Sequence, residues 1–147
     1  MKTVGEVLAA KGSAVVTTTP DVTVLEAVRS MVDQGVGCVV VVGPDGRIAG
    51  IMTERDVLRA VARQLEGLGT ALVGALMTRD VLIGVPGDSL DSVMALMTER
   101  RIRHLPILEA GRMIGLLSVG DVVKAKMRTH EAEIRHLENY LSGNYPG

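Results

Sequence analysis

The 147-residue chain contains no phenylalanine and no tryptophan, and its two tyrosines, Tyr140 and Tyr145, both stand near the C-terminus. Proteins that read single-stranded nucleic acid stack bases on aromatic platforms, and this sequence has nothing from which to build one. Its single cysteine, Cys38, can form neither an intrachain disulfide nor a Cys-x-x-Cys redox pair. An excess of one charge is also lacking. Sixteen Lys and Arg stand against 17 Asp and Glu, a formal charge of -1, so no global field recruits nucleic acid or an anionic membrane. The longest apolar run, residues 39–42, is far too short to span a bilayer. The first ten residues lack the long apolar region of a signal peptide. The expected setting is the cytoplasm, with no membrane and no nucleic acid as partner.

What the chain does have is aliphatic residues, since 47% of it is hydrophobic and 1% aromatic, and an internal repeat. Val4-Gly5-Glu6-Val7-Leu8 resembles Val73-Gly74-Ala75-Leu76-Met77, Pro20 matches Pro86, and Met31 matches Met97. Gly50-Ile51-Met52-Thr53-Glu54-Arg55-Asp56-Val57 matches Gly115-Leu116-Leu117-Ser118-Val119-Gly120-Asp121-Val122. The offset falls from 69 through 66 to 65, so only short insertions separate the copies. Two copies are too few for a solenoid and point to a pseudo-two-fold pair.

Each copy reads in the same order. A short helix over 4–10 leads to a β-branched strand over 14–18 and a turn at Pro20-Asp21. Val24, Ala27, Val28 and Met31 then recur at helical spacing up to Gly35 and Gly37. Residues 38–42 form a continuous apolar strand, Pro44-Asp45-Gly46 a tight turn, and 47–52 the return strand. Thr53 opens a helix with Val57, Leu58, Val61 and Leu65 on its apolar face, and Gly67 and Gly69 link to the second copy. There the strands are expected over 81–85, 104–108 and 113–117, with helices over 89–100 and from Ser118. The fold class is α/β (α+β): two β-α-β-β-α repeats packed sheet to sheet with helices outside. The boundaries are 1–66 and 67–128 for the repeats and 129–147 for a C-terminal helical tail.

The strongest local signal is Thr53-x-x-Asp56 after a strand, repeated as Ser118-x-x-Asp121. A hydroxyl followed three residues on by an acid makes a helix capping box. The same pair can hold a ligand, because a carboxylate accepts two hydrogen bonds from a vicinal ribose diol while the backbone N–H groups of a helix start favour anions nearby. Both readings stand on the residues alone. A second signal is Arg100-Arg101-Ile102-Arg103-His104-Leu105-Pro106. The arginines either offset the dipole of a helix end or bind phosphate. Pro106 cannot donate to a β-ladder and implies a local break in pairing. The matching segment, Val36-Gly37-Cys38-Val39, lacks these charges.

These motifs, with Leu76-Met77-Thr78 and Arg103-His104-Leu105-Pro106-Ile107, resemble a tandem cystathionine β-synthase (CBS) domain pair, or Bateman module, over residues 4–128. The resemblance implies adenosine ligands whose ribose hydroxyls meet the motif Asp, with the Ser or Thr near ribose and phosphate. It implies a second site of Val81, Ile102, Arg103, His104, Pro106, Ser118 and Asp121, and a first site of Val15, Val36, Gly37, Cys38, Thr53 and Asp56. In such pairs the two sites share one cleft, so Arg55 is expected to reach a phosphate held at the second. The implied ligand is AMP, ADP, ATP or NAD, the implied role non-catalytic sensing read by an unknown downstream protein, and the implied assembly a homodimer. Val119-Gly120 replaces Glu54-Arg55 in the second copy and removes a cation from that helix mouth. A structural adaptor without a physiological ligand is the alternative.

No other constellation carries chemistry. His104, His130 and His136 have no cysteine partners, and the last two are six apart, off the spacing of a helical zinc pair, so no metal is expected. Ser13, Ser89 and Ser118 lack a His/Asp relay, and no Gly-x-Ser-x-Gly elbow is present. Leu90, Val93, Met94, Leu96 and Met97 give one helix more apolar breadth than a single sheet contact needs, which favours a second copy as partner. In the tail, Met127, Ile134 and Leu141 are seven apart, with Leu137 between and His130 at the equivalent earlier position. Under three heptads, this predicts a helix packed on the module or on its partner, with 142–147 frayed.

Overall fold

The structure is a computed structural model and describes residues 2–63, 67 and 69–141. It is a mixed α/β fold. In chain order the elements are α1 (Val4–Lys11), β1 (Thr17–Thr18), α2 (Val24–Gln34), β2 (Cys38–Val42), β3 (Ile48–Thr53), α3 (Glu54–Ala62), α4 (Val73–Leu76), α5 (Leu90–Arg100), β4 (His104–Glu109), β5 (Arg112–Ser118) and α6 (Val119–Leu141). One sheet has the order β1-β2-β3, with β1 parallel and β3 antiparallel to β2. The other is the antiparallel pair β4-β5.

Local chemistry sets most boundaries. Thr3, Thr23, Thr53 and Ser89 cap their helices with a side-chain oxygen that accepts a backbone N–H of the first turn. Gly35 ends α2 in the left-handed region at φ 65°. Two expected strands are shorter than read. Residues 14–18 reduce to Thr17–Thr18, and 81–85 reduce to a single parallel bridge from Gly84 to Ile107. The break expected at Pro106 is absent from the hairpin. Pro106 is in register with Leu116, and the irregularity falls between Ile107 and Leu108. The Pro106 carbonyl accepts the Gly84 N–H at 2.9 Å, so the side of the residue that lacks a donor faces Gly84, not β5. On α3, Leu58 and Val61 are exposed, and Ala60 takes the buried position; Leu65 lies outside the described residues.

The chain forms two compact units that do not follow the repeat boundaries. One comprises Ala14–Ile83, the other Met1–Ser13 with Gly84–Gly147. They are called the Asp56 unit and the Asp121 unit below. Each takes its leading helix from the other repeat, by the same bonds. In the Asp121 unit the Gly5 N–H donates to the Pro86 carbonyl at 2.9 Å, the Val4 N–H to Asp88, and the Leu90 N–H to Lys2. In the Asp56 unit the Gly74 N–H donates to Pro20 at 2.9 Å, the Val73 N–H to Val22, and the Val24 N–H to Ala71. Val4 and Val73 are fully buried, each worth about 1.5–3 kcal/mol of transfer free energy. The Asp56 unit packs Val24, Ala27, Met31, Val39, Val41 and Met52 with the imported Val73 and Met77.

Candidate functional site

Both capping boxes form. The Thr53 Oγ1 accepts the Asp56 N–H at 3.4 Å, and the Asp56 Oδ2 accepts the Thr53 N–H at 2.9 Å. The Ser118 Oγ accepts the Asp121 N–H at 3.1 Å, and the Asp121 Oδ2 accepts the Ser118 N–H at 2.8 Å. The strand before each hairpin is tied to the same helix mouth. The Gly37 carbonyl accepts the Glu54 N–H at 2.9 Å, and the Arg103 carbonyl accepts the Val119 N–H at 2.8 Å. Cys38 is in register with Thr53, and His104 with Ser118.

The fold therefore brings together Gly37, Cys38, Thr53 and Asp56 in one unit, and Arg103, His104, Ser118 and Asp121 in the other. Val36 and Ile102 sit one residue earlier, their N–H groups closing the preceding helix on Met31 and Met97 at 3.0 and 3.1 Å. Pro106 is buried two residues into β4. Val15, half-buried, precedes Val16, whose carbonyl accepts the Val40 N–H at 3.1 Å. Val81 and Arg55 belong to the Asp56 unit and not to the unit that holds Asp121.

The two mouths differ in what surrounds the acid. Lys11, at the end of α1, donates to the Asp121 Oδ2 at 2.6 Å and to the Leu116 carbonyl at 2.8 Å. Burial pushes the Asp121 carboxyl up. The Lys11 ammonium and the Ser118 N–H and hydroxyl outweigh it and hold the group below the ordinary carboxylate range. With Lys124, Arg128, Val7, Ala10 and Ala125, this ion pair lines a cavity of about 290 Å³ between α1 and α6. Three cations thus line one cavity with a single carboxylate, and Lys11 is the one that touches it. At the other mouth the Asp56 Oδ1 accepts from the Thr78 hydroxyl at 3.3 Å, and the Glu54 carboxyl lies where a Cβ on Gly37 would be 3.3 Å away. Cys38 is buried and offers the site only its backbone. Burial, then the nearby Asp56 charge, push its thiol up to about 12, so it stays protonated and unreactive.

Sequence reasoning missed Lys11 and Thr78. The repeat alignment carries a faint signal for the first, because at the offset of 69 the residue equivalent to Lys11 is Asp80, a charge reversal. Among the described residues no group of three His, Cys, Asp or Glu is placed to hold a metal ion, and no helix is long and apolar enough to cross a membrane.

The CBS domain model matches the chain twice, over residues 4–63 and 73–128. The chain is 38% identical over 151 aligned residues to the CBS domain-containing protein CBSX3, mitochondrial, of Arabidopsis thaliana, covering 97% of this chain and 73% of that protein. Among solved structures it is similar to a CBS-domain containing protein of Agrobacterium tumefaciens, with 41% identity, a TM-score of 0.82, and coverage of 85% of this chain and 93% of that one. The same fold recurs in a CBS domain protein of Pyrobaculum aerophilum complexed with AMP, at 24% identity and a TM-score of 0.72, covering 81% of this chain and 88% of that one. With two matches that together span most of its length, and with both motif boxes built as the repeat demands, the chain belongs to the CBS domain family.

Proposed function

We propose that the protein is a non-catalytic regulatory module that binds an adenosine nucleotide, with its principal site at Asp121. The observation that carries this reading is the charge at that mouth. The Asp121 Oδ2 is engaged by Lys11 and by the Ser118 N–H, and its Oδ1 holds no hydrogen bond among the described residues. The mouth therefore offers a ribose one carboxylate acceptor and, beside it, an ammonium donor. Lys11, Lys124, Arg128 and the exposed Arg103 supply cations for the phosphates. Ile102, His104 and Pro106 frame the base and Ser118 stands near the phosphate. Val15, Val36, Gly37, Cys38, Thr53 and Asp56 form a weaker site, with the Glu54 carboxyl beside it. The AMP complex of the Pyrobaculum aerophilum protein supports the ligand class. AMP, ADP, ATP and NAD all satisfy it. A ligand that favours one arrangement of the module shifts its population, and a downstream protein reads the shift. The setting is the cytoplasm and the working state a homodimer.

A thermal-shift panel of AMP, ATP, NAD and GTP tests the reading. A specific ligand at a hundredfold excess over Kd stabilises by about 2.7 kcal/mol. The expected result is a rise in Tm with at least one adenine compound and none with GTP. No shift with any adenine compound at millimolar concentration overturns it and leaves the adaptor reading.

A further inference from the structure

The homodimer in the reading above needs a surface, and α5 does not supply it. Of its five large apolar residues Leu90, Val93 and Met97 are buried and Met94 and Leu96 half-buried, so no large one is left exposed. The long C-terminal helix is different. α6 runs unbroken from Val119 to Leu141, with Val122 and Ala125 buried in its own unit, and every residue from 130 to 141 is exposed. Five large apolar residues of α6 lie on one stripe and are exposed: Val123 by 41%, Met127 by 58%, Ile134 by 55%, Leu137 by 59% and Leu141 by 83%. With His130 they stand at 123, 127, 130, 134, 137 and 141, an unbroken alternation of four and three. That is the spacing of a helix seam that packs against another helix.

We infer that this stripe is the dimer surface and that its occupant is α6 of a second copy, running antiparallel. The flanking charges decide the direction. Lys124 and Lys126 flank the first half of the stripe, and Glu131, Glu133 and Glu138 flank the second. Antiparallel pairing sets Met127 against Leu137 of the partner subunit and Ile134 against the partner's His130. It brings Lys124 beside the partner's Glu138, twice by symmetry, which offsets the single approaches of Glu131 to the partner's Glu131 and of Glu133 to the partner's Glu133 across the axis. Parallel pairing would set Glu133 beside the partner's Glu138 twice. It would also rely on Lys126, which already pairs with Asp91 in its own unit. The polar His130 in the seam restricts the register. A free helix of two to three heptads is marginal in water, but here the first half of α6 is anchored on a folded unit, so the helix is formed before it pairs.

Light scattering on the full chain tests the surface. Wild type is expected at twice the chain mass at micromolar concentration, and Ile134→Glu/Leu137→Glu at the chain mass with unchanged circular dichroism. Both positions are exposed, so the variant keeps its fold. A wild-type monomer overturns the dimer reading and this inference together. A dimer that survives the double substitution overturns the inference alone. Mild oxidation tests the direction. Met127→Cys/Leu137→Cys is expected to form covalent dimers, and Met127→Cys, Leu137→Cys or Ile134→Cys alone is not, with buried Cys38 as the silent background. Covalent dimers from the single variants, in which each position meets its own copy, overturn the antiparallel assignment.

Discussion

Asp56 and Asp121 occupy the same place in two copies of one motif, close the same capping box, and differ in their next partner. Thr78, a neutral hydroxyl, reaches Asp56, whereas Lys11, a full cation, reaches Asp121. Both partners come from the leading helix segment that each unit imports from the other repeat. Lys11 ends α1 of the first repeat and serves the motif of the second, and Thr78 follows α4 of the second and serves the first. The boxes themselves stay alike because both must start a helix after a strand. The difference in partner lies in the imported segment, at Lys11 and Thr78, positions outside both capping boxes. One fold can thus set different charges beside its two motif acids without altering the element that builds either mouth.

The widest separation between the two is expected in ligand affinity. Asp121→Ala removes the acceptor beside Lys11 and should weaken nucleotide binding by about 1.5–3 kcal/mol, more than tenfold. Asp56→Ala should cost a comparable cap, about 1 kcal/mol of stability, with little loss of affinity for the first nucleotide bound. Calorimetric titration of the two variants decides. Tight binding lost with Asp56→Ala and kept with Asp121→Ala would reverse the assignment of the principal site.

A matched pair of glycines separates the units by rigidity. Gly50 and Gly115 are equivalent strand positions where the imported segment passes close. A Cβ on Gly50 would stand 2.7 Å from the Thr78 carbonyl oxygen and 2.8 Å from the Met77 Sδ. That carbonyl accepts the Ile51 N–H at 2.9 Å and cannot retreat without breaking the bridge between Ile51 and Thr78. A Cβ on Gly115 would meet the Leu8 methyls at 2.8 and 3.0 Å, the movable end of a side chain. Gly50→Ala should therefore destabilise by about 1–3 kcal/mol, and Gly115→Ala by less than half as much. Urea unfolding of both variants measures the difference, and equal midpoints would show that the two contacts are equally stiff.

Much of this was legible in the sequence, and the rest was hidden for a physical reason. Thr53, Ser89 and Ser118 as helix starts, the glycine end of α2 and the two hairpins follow from short-range chemistry that a few adjacent residues express. The exchange of leading helices does not. Val4-Gly5 and Val73-Gly74 are near copies, as are Pro20 and Pro86, so either helix fits either receiving turn by local pattern, and only the tertiary structure selects the crossed pairing. Lys11 stayed hidden with it. A lone lysine at a helix end reads as a dipole-offsetting cation until α1 is known to lie beside Asp121. Both copies of the capping box were readable, but Lys11, the neighbour that distinguishes them, sits 110 residues from Asp121 in the chain.

The smallest expected effect is the most specific to that neighbour. Lys11 and Asp121 keep 37% and 22% of their side-chain surface exposed, so solvent screens much of their attraction and Lys11→Met should cost less than about 1 kcal/mol at neutral pH. Its signature is the pH and salt dependence of the loss. The folded Asp121 carboxyl titrates below its unfolded value, so its contribution is fully present above about pH 4 and disappears as pH falls through the lower folded value. Lys11→Met removes the strongest of the influences that lower it and leaves burial, which acts the other way, opposed only by the two Ser118 bonds. The variant should therefore lose less stability than wild type on acidification below about pH 4, so that the two melting curves converge there, and they should converge again at 1 M salt, where the Debye length is about 3 Å. Thermal melts of both proteins across pH 2.5–7 and at two salt concentrations would check this. A gap that stays constant in acid and in salt would mean that Lys11 acts by packing alone, and that the two motif acids do not differ electrostatically.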